Sequence, residues 1–169
     1  MELSFRRGTL QDIENFIRFL DEVKAGMSHK EWFYLDAPDD VRAMIHDGIM
    51  RFWLALDDCR LAAVFSIVYP GLCSSNYGYD LDLTREELLE VIHMDTAAVY
   101  PDYRGLGLQG RMVRMAEKEL SGEGRRILLT TVHPENIYSL NNMQTQGYEI
   151  QKRVEKYDSV RYILRKNIF

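Results

Sequence analysis

The spacing of apolar residues divides the chain into short strands and amphipathic helices. Leu3 and Phe5 alternate with polar neighbours over Glu2–Arg6, which predicts a strand. Ile13, Phe16, Ile17 and Leu20 then recur at helical spacing, so a first helix is expected to about Val23. Thr9, followed three residues on by Asp12, is placed as its N-cap in a variant of the capping box. Asp36 and Pro38 open a second helix carried by Val41, Met44 and Ile45 and stopped at Gly48. Strands are expected at Met50–Leu56 and Leu61–Tyr69 around a polar turn at Asp57–Asp58, and again at Val91–Tyr100. Pro70–Asp82 reads as loop and Thr84–Glu90 as one or two helical turns. Leu108, Met112, Met115, Ala116 and Leu120 stripe a helix over Leu106–Leu120. Arg126–Val132 is nearly continuous in apolar residues, the pattern of a strand covered on both faces. A short helix at Ile137–Gln146, ended by Gly147, and strands at Tyr148–Lys156 and Val160–Arg165 complete the chain. The order β-α-α-β-β-(α)-β-α-β-α-β-β predicts an α/β or α+β fold with a mixed sheet of about six to seven strands. With no repeat, low-complexity tract or linker in view, a single domain over residues 1–169 is expected.

Composition narrows the class. At 169 residues, 46% apolar and 28% charged, the chain has ordinary soluble usage. A chain of this length buries roughly 70% of the surface its unfolded form exposes, so it needs no disulfide or metal staple. Cys59 and Cys73 have no metal-type spacing and read as small buried hydrophobes. The histidines His29, His46, His93 and His133 are scattered, so no metal site is expected. Two arginines near the amino terminus precede no apolar stretch, and the longest apolar run, Leu61–Val68, is broken by Ser66. The expectation is therefore no membrane partner and a cytoplasmic, reducing compartment. A net charge of −5 argues against nucleic acid and would suit a cationic substrate.

The informative segment is Val99-Tyr-Pro-Asp-Tyr-Arg104-Gly-Leu-Gly107-Leu-Gln109-Gly110, between a strand and an amphipathic helix. The first amides of a helix lack helical partners, and the peptide dipoles place partial positive charge there. Gly105 and Gly107 carry no Cβ to block a close approach, and Arg104 adds a charge able to fork onto phosphate oxygens. These features predict a pyrophosphate cradle. The absence of Lys-Ser/Thr after the glycines excludes a P-loop. Gly105-x-Gly107-x-x-Gly110 meets the glycine spacing of a dinucleotide fingerprint, but the next strand ends in Thr131-Val132-His133, without the acid that would hold a ribose.

The segment Val99-x-Pro-x-Tyr-Arg104-Gly-x-Gly107-Leu-Gln resembles the acetyl-CoA signature R/Q-x-x-G-x-G/A of the GNAT superfamily of N-acyltransferases. Arg104 and Gly107 match it; Gln109 stands where Gly or Ala is usual. A second stretch, Asn136-Ile-Tyr-Ser139 … Gly147-Tyr148, resembles the superfamily's N-x-x-S/A … G-F/Y block, although Asn136 and Gly147 are also good helix caps in their own right. The resemblance runs over nearly the whole chain in element order. It implies a mostly antiparallel central sheet flanked by helices and splayed at the cofactor site. It also implies acetyl-CoA as co-substrate, bound by Arg104, Gly105, Leu106, Gly107, Leu108 and Gln109, with Asn136 and Ser139 beside the pantetheine arm. That arm would pair with the strand edge at Ala97, Ala98 and Val99.

The implied reaction is transfer of an acetyl group to a primary amine of a small molecule or peptide by direct attack. The tyrosine that serves as acid in such enzymes is replaced here by Met143, leaving Tyr138 on the same helix as a substitute. His93 and Asp95 share one face of their strand and are candidates for the base or for orienting the amine. Trp32, Phe33 and Tyr34, in the loop between the first two helices, are candidates for an acceptor wall or for core plugs, and the loop Asn76–Asp80 for a neighbour of the same cleft. The last strands offer the route to a homodimer common to such folds. A non-catalytic acyl-CoA sensor is the alternative.

Overall fold

The computed structural model describes residues 2–169, and the strands are hydrogen-bonded in the order β1-β2-β3-β4-β5-β7-β6. The β4–β5 pair is parallel, whereas β1–β2, β5–β7 and β6–β7 are antiparallel, so the sheet is mixed as expected. The described residues form two compact units, residues 2–67 with 96–115 and residues 68–95 with 116–169. The changes of unit fall inside two strands and one helix, at 67/68, 95/96 and 115/116, which is why no linker shows in the sequence.

In the first unit, β1 (Leu3–Arg7) pairs with β2 (Met50–Asp57) from Leu3↔Asp57 to Arg7↔Trp53. Helix α1 (Ile13–Ala25) turns Ile13, Phe16, Ile17, Phe19, Leu20 and Val23 inward, and Phe16 stacks on Phe52 at 4.5 Å. A short 3-10 turn, Leu10–Asp12, precedes it, so the helix starts later than its cap signal suggests. Asp12 accepts from the Thr9 amide and hydroxyl, each at 2.8 Å, and pairs with the Arg6 guanidinium, which holds its carboxyl well below the usual range. Helix α2 (Pro38–His46) is capped by Ala37 rather than Asp36, whose half-buried carboxyl is pushed up by burial and by Asp40. The β2–β3 turn is Asp58–Cys59, one residue later than expected, because β2 carries on through Asp57. Strand β3 (Arg60–Val68) is buried from Ala62 to Ile67. Both cysteines are exposed, contrary to the expectation of buried ones.

The second unit contains helix α3 (Arg85–Glu90), β5 (Ile127–Val132), helix α5 (Ile137–Thr145), β6 (Glu149–Lys156) and β7 (Ser159–Asn167). Strand β4 (Val91–Val99) and helix α4 (Leu108–Gly122) run through both units. Tyr77, Val91, Ile127, Leu129 and Ile163 form a buried cluster flanked by Leu81, Leu83 and Val154. The loop expected at Pro70–Asp82 is ordered: it ends in a 3-10 turn, Tyr77–Leu81, organised by the buried Asn76 amide. Glu117 on α4 accepts from the buried Tyr148 phenol at 2.8 Å and from Lys166 at 2.8 Å. The edge strand β6 presents Glu149, Lys152, Arg153 and Glu155 and carries a register shift at Ile150/Lys152, features that oppose pairing with a second copy along that edge. Among the described residues no helix is long and apolar enough to cross a membrane, and no group of three or more His, Cys, Asp or Glu could hold a metal ion.

Candidate active site

The glycine turn is set by its approach. The Tyr100 amide donates to Ala62 O at 2.9 Å, and the 3-10 turn Pro101–Tyr103 follows. Tyr103 is buried and donates to Asp57 at 2.8 Å, while Arg60 pairs with Asp102 at 3.2 Å. Those anchors hold the chain that delivers Arg104, which is exposed. Gly105 and Gly107 take φ of +80° and +69°, a conformation that costs an L side chain about 1–2 kcal/mol. A Cβ built on either glycine would meet nothing within 4 Å. The bend is therefore open, not filled by neighbouring side chains.

Helix α4 begins at Leu108 rather than at Leu106, because Gly107 with positive φ cannot lie inside a right-handed helix. Its first backbone bond is from the Arg111 amide to Gly107 O at 3.1 Å, so the amides of residues 108–110 stand outside the helical ladder. The Arg104 amide donates to Pro101 O at 3.2 Å, so what Arg104 can offer a ligand is its guanidinium. Leu106 is exposed, Leu108 buried and Gln109 half-buried.

The β4–β5 ladder pairs Val91↔Ile127, Ile92↔Leu128 and His93↔Leu129 and goes no further, while β4 continues to Val99. Just beyond the last pair, the Thr130 hydroxyl donates to Met94 O at 2.8 Å. Ala97 and Val99 are half-buried on this continuation and Ala98 is buried. Asn136 caps α5, accepting the Ser139 amide at 3.3 Å; both residues are half-buried. Met143 is buried, and Tyr138 is 89% exposed.

His93 departs from the expected open base. It is 5% exposed, its ring stacks on Tyr77 at 3.8 Å, and its Nε2 accepts the Tyr77 amide at 3.1 Å. Burial, with the Lys156 charge adding, lowers its pKa to about 3, so the imidazole is neutral and the Nε2 lone pair engaged. Asp95, half-buried on the same strand, acts electrostatically on the Tyr77 phenol, whose pKa burial raises well above the usual value. The phenol lies 2.5 Å from the hydroxyl of Tyr157, a residue that no motif or spacing singles out. Trp32 is half-buried and stacks on His29 at 4.2 Å, Phe33 is half-buried and Tyr34 exposed, so none of the three plugs the core.

This architecture is the fold of the GNAT acetyltransferases. No protein-family model matches the sequence and no curated protein matches it, but solved structures do. A GNAT-family acetyltransferase from Streptococcus pneumoniae superposes with a TM-score of 0.76 at 17% identity, covering 99% of this chain and 100% of that one. Arabidopsis thaliana NAA60, solved with acetyl-CoA, gives 0.76 at 16% identity and 99% coverage of both chains. The ribosomal-protein-S18-alanine N-acetyltransferase from Escherichia coli gives 0.73 at 14% identity, covering 99% of this chain and 94% of that one. At these identities the likeness establishes the fold.

Proposed function

We propose that the protein is an acetyl-CoA-dependent N-acetyltransferase that acetylates a primary amine of a small molecule or peptide. The observation that carries the reading is the open bend at Gly105 and Gly107, with the exposed Arg104 before it and a helix start after it. Phosphate oxygens accept from such amides, and the guanidinium forks onto them. Leu106, Leu108 and Gln109 complete that cradle. Ala97, Ala98 and Val99 are assigned to strand-like pairing with the cofactor's amide-rich arm, which the short β4–β5 ladder supports. Asn136 and Ser139 are assigned to the same arm by resemblance.

The bound thioester supplies an activated acetyl carbonyl; the chain's residues supply position and proton handling. Asp95 is the group assigned to orient the amine or take its proton through water. His93 is not assigned that step, because its Nε2 is engaged. Met143 cannot donate a proton, but a thiol with pKa near 8.5 leaves without an obligatory acid, so Tyr138 on the exposed helix face needs no essential role. Trp32, Phe33 and Tyr34 are assigned to the acceptor wall by resemblance. The test is thermal stabilisation by coenzyme A and acetyl-CoA, followed by thiol release against a panel of amines. The reading expects stabilisation and turnover. Stabilisation without turnover on any amine would favour a sensor, and no stabilisation would remove the reading.

A further inference from the structure

We infer that His93 is a positioning residue acting through Tyr77, and that the Tyr77 phenol, which feels the Asp95 carboxylate assigned to the amine, latches the β6–β7 turn at Tyr157. The inference rests on the proposed transferase reading for its functional part and on geometry for the rest. Tyr77 is held from both sides. His93 takes its amide and stacks its ring. Asn76, 1% exposed, donates to Gly71 O at 2.8 Å and Leu88 O at 3.1 Å and accepts the Gly78 amide at 2.8 Å. A backbone locked this way fixes where the phenol points. Its hydroxyl also feels the Thr131 side chain and the Asp95 charge, both two residues past the last β4–β5 pair, His93↔Leu129.

The turn that the phenol meets is strained. Tyr157 and Asp158 have φ of +57° and +56°, where a two-residue hairpin turn favours Asn-Gly and a bulky aromatic is an outlier. Such strain persists only where surrounding contacts hold it. Three such contacts come from the segment Tyr77–Leu81, namely the Tyr77–Tyr157 hydroxyl pair at 2.5 Å, the Lys156–Asp80 ion pair at 2.8 Å, and Lys152 Nζ on Asp80 O at 2.8 Å; within β7, the Arg161 guanidinium lies over the Tyr157 ring at 5.9 Å. The turn is thus clasped to the element that His93 positions, beside the carboxylate assigned to the amine.

The test compares Tyr157→Phe, His93→Gln and His93→Leu. Gln keeps an acceptor for the Tyr77 amide but cannot act as a base; Leu keeps neither property. Hydrogen exchange at residues 156–159 reads the latch without any activity. Tyr157→Phe should speed that exchange about five-fold, the factor for one lost hydrogen bond, and raise the amine KM similarly with kcat unchanged. His93→Gln should keep exchange and kinetics near wild type, whereas His93→Leu should match Tyr157→Phe. Unchanged exchange in Tyr157→Phe overturns the latch. Lost turnover in His93→Gln with normal exchange overturns positioning in favour of a base. Coenzyme A binding, measured separately on the wild type, tells failure of the transferase reading from failure of the latch.

Discussion

Replacing Gly107 by Ala separates what the bend costs the fold from what it gives a ligand. With φ of +69° and nothing within 4 Å of a built Cβ, the substitution creates no clash inside the protein. Its folding cost is the left-handed backbone alone, about 1 kcal/mol, which lowers Tm by about 2–4 °C in a chain of this size. Gly124 has the same conformation, φ of +74° with nothing within 4 Å, but lies at the end of α4 away from the bend. Gly124→Ala should therefore cost the same stability. For coenzyme A the two should part: a Cβ at 107 stands where phosphate must approach, and losing one amide bond to a charged oxygen is worth about 1.5–3 kcal/mol. Gly107→Ala should then weaken Kd by roughly 10–100-fold, and Gly124→Ala should leave it unchanged. Calorimetric titration with coenzyme A, beside thermal melts of both variants, makes the comparison. Equal affinities in wild type, Gly107→Ala and Gly124→Ala would refute the reasoning.

Arg104→Ala, at an exposed site, should change stability by no more than about 0.5 kcal/mol yet weaken coenzyme A binding and flatten its salt dependence, measured by titration at two ionic strengths. His93 makes stability pH-dependent. Its folded pKa, about 3, lies below the unfolded value of 6.5, so between those limits the unfolded chain binds a proton the native state refuses. Stability is fully present above pH 6.5 and falls by up to about 1.4 kcal/mol per unit as pH drops towards 3; His93→Gln should remove that slope in urea melts. Gly8→Ala should destabilise by about 1–3 kcal/mol in denaturant melts, because its Cβ would lie 2.0 Å from the buried Phe52 ring.

Periodicity located every strand and α-helix to within a few residues, because apolar spacing reports which face is buried. Boundaries moved where a local geometry outweighed the pattern, as at Gly107 for α4 and Asp57 for β2. The bend was legible because glycine, arginine and a helix start are local features. The fate of His93 was not. Alternation placed it on a face with Asp95, but only the Tyr77 amide, brought in from 16 residues upstream, decides that its Nε2 accepts a bond. Tyr157 was equally hidden, since its partner lies 80 residues away and its turn lacks the usual Asn-Gly. Cys59 and Cys73 are exposed, against the buried expectation, because the preference of cysteine for the interior says nothing about a turn or loop.

The most direct measurement is an amide NMR titration with coenzyme A. If the bend holds its diphosphate, the Gly105, Gly107 and Leu108 amides should shift strongly and saturably, ahead of those of Gly48 and Gly124. Shifts scattered elsewhere while these amides stay still would contradict the assignment of the bend to a nucleotide cofactor.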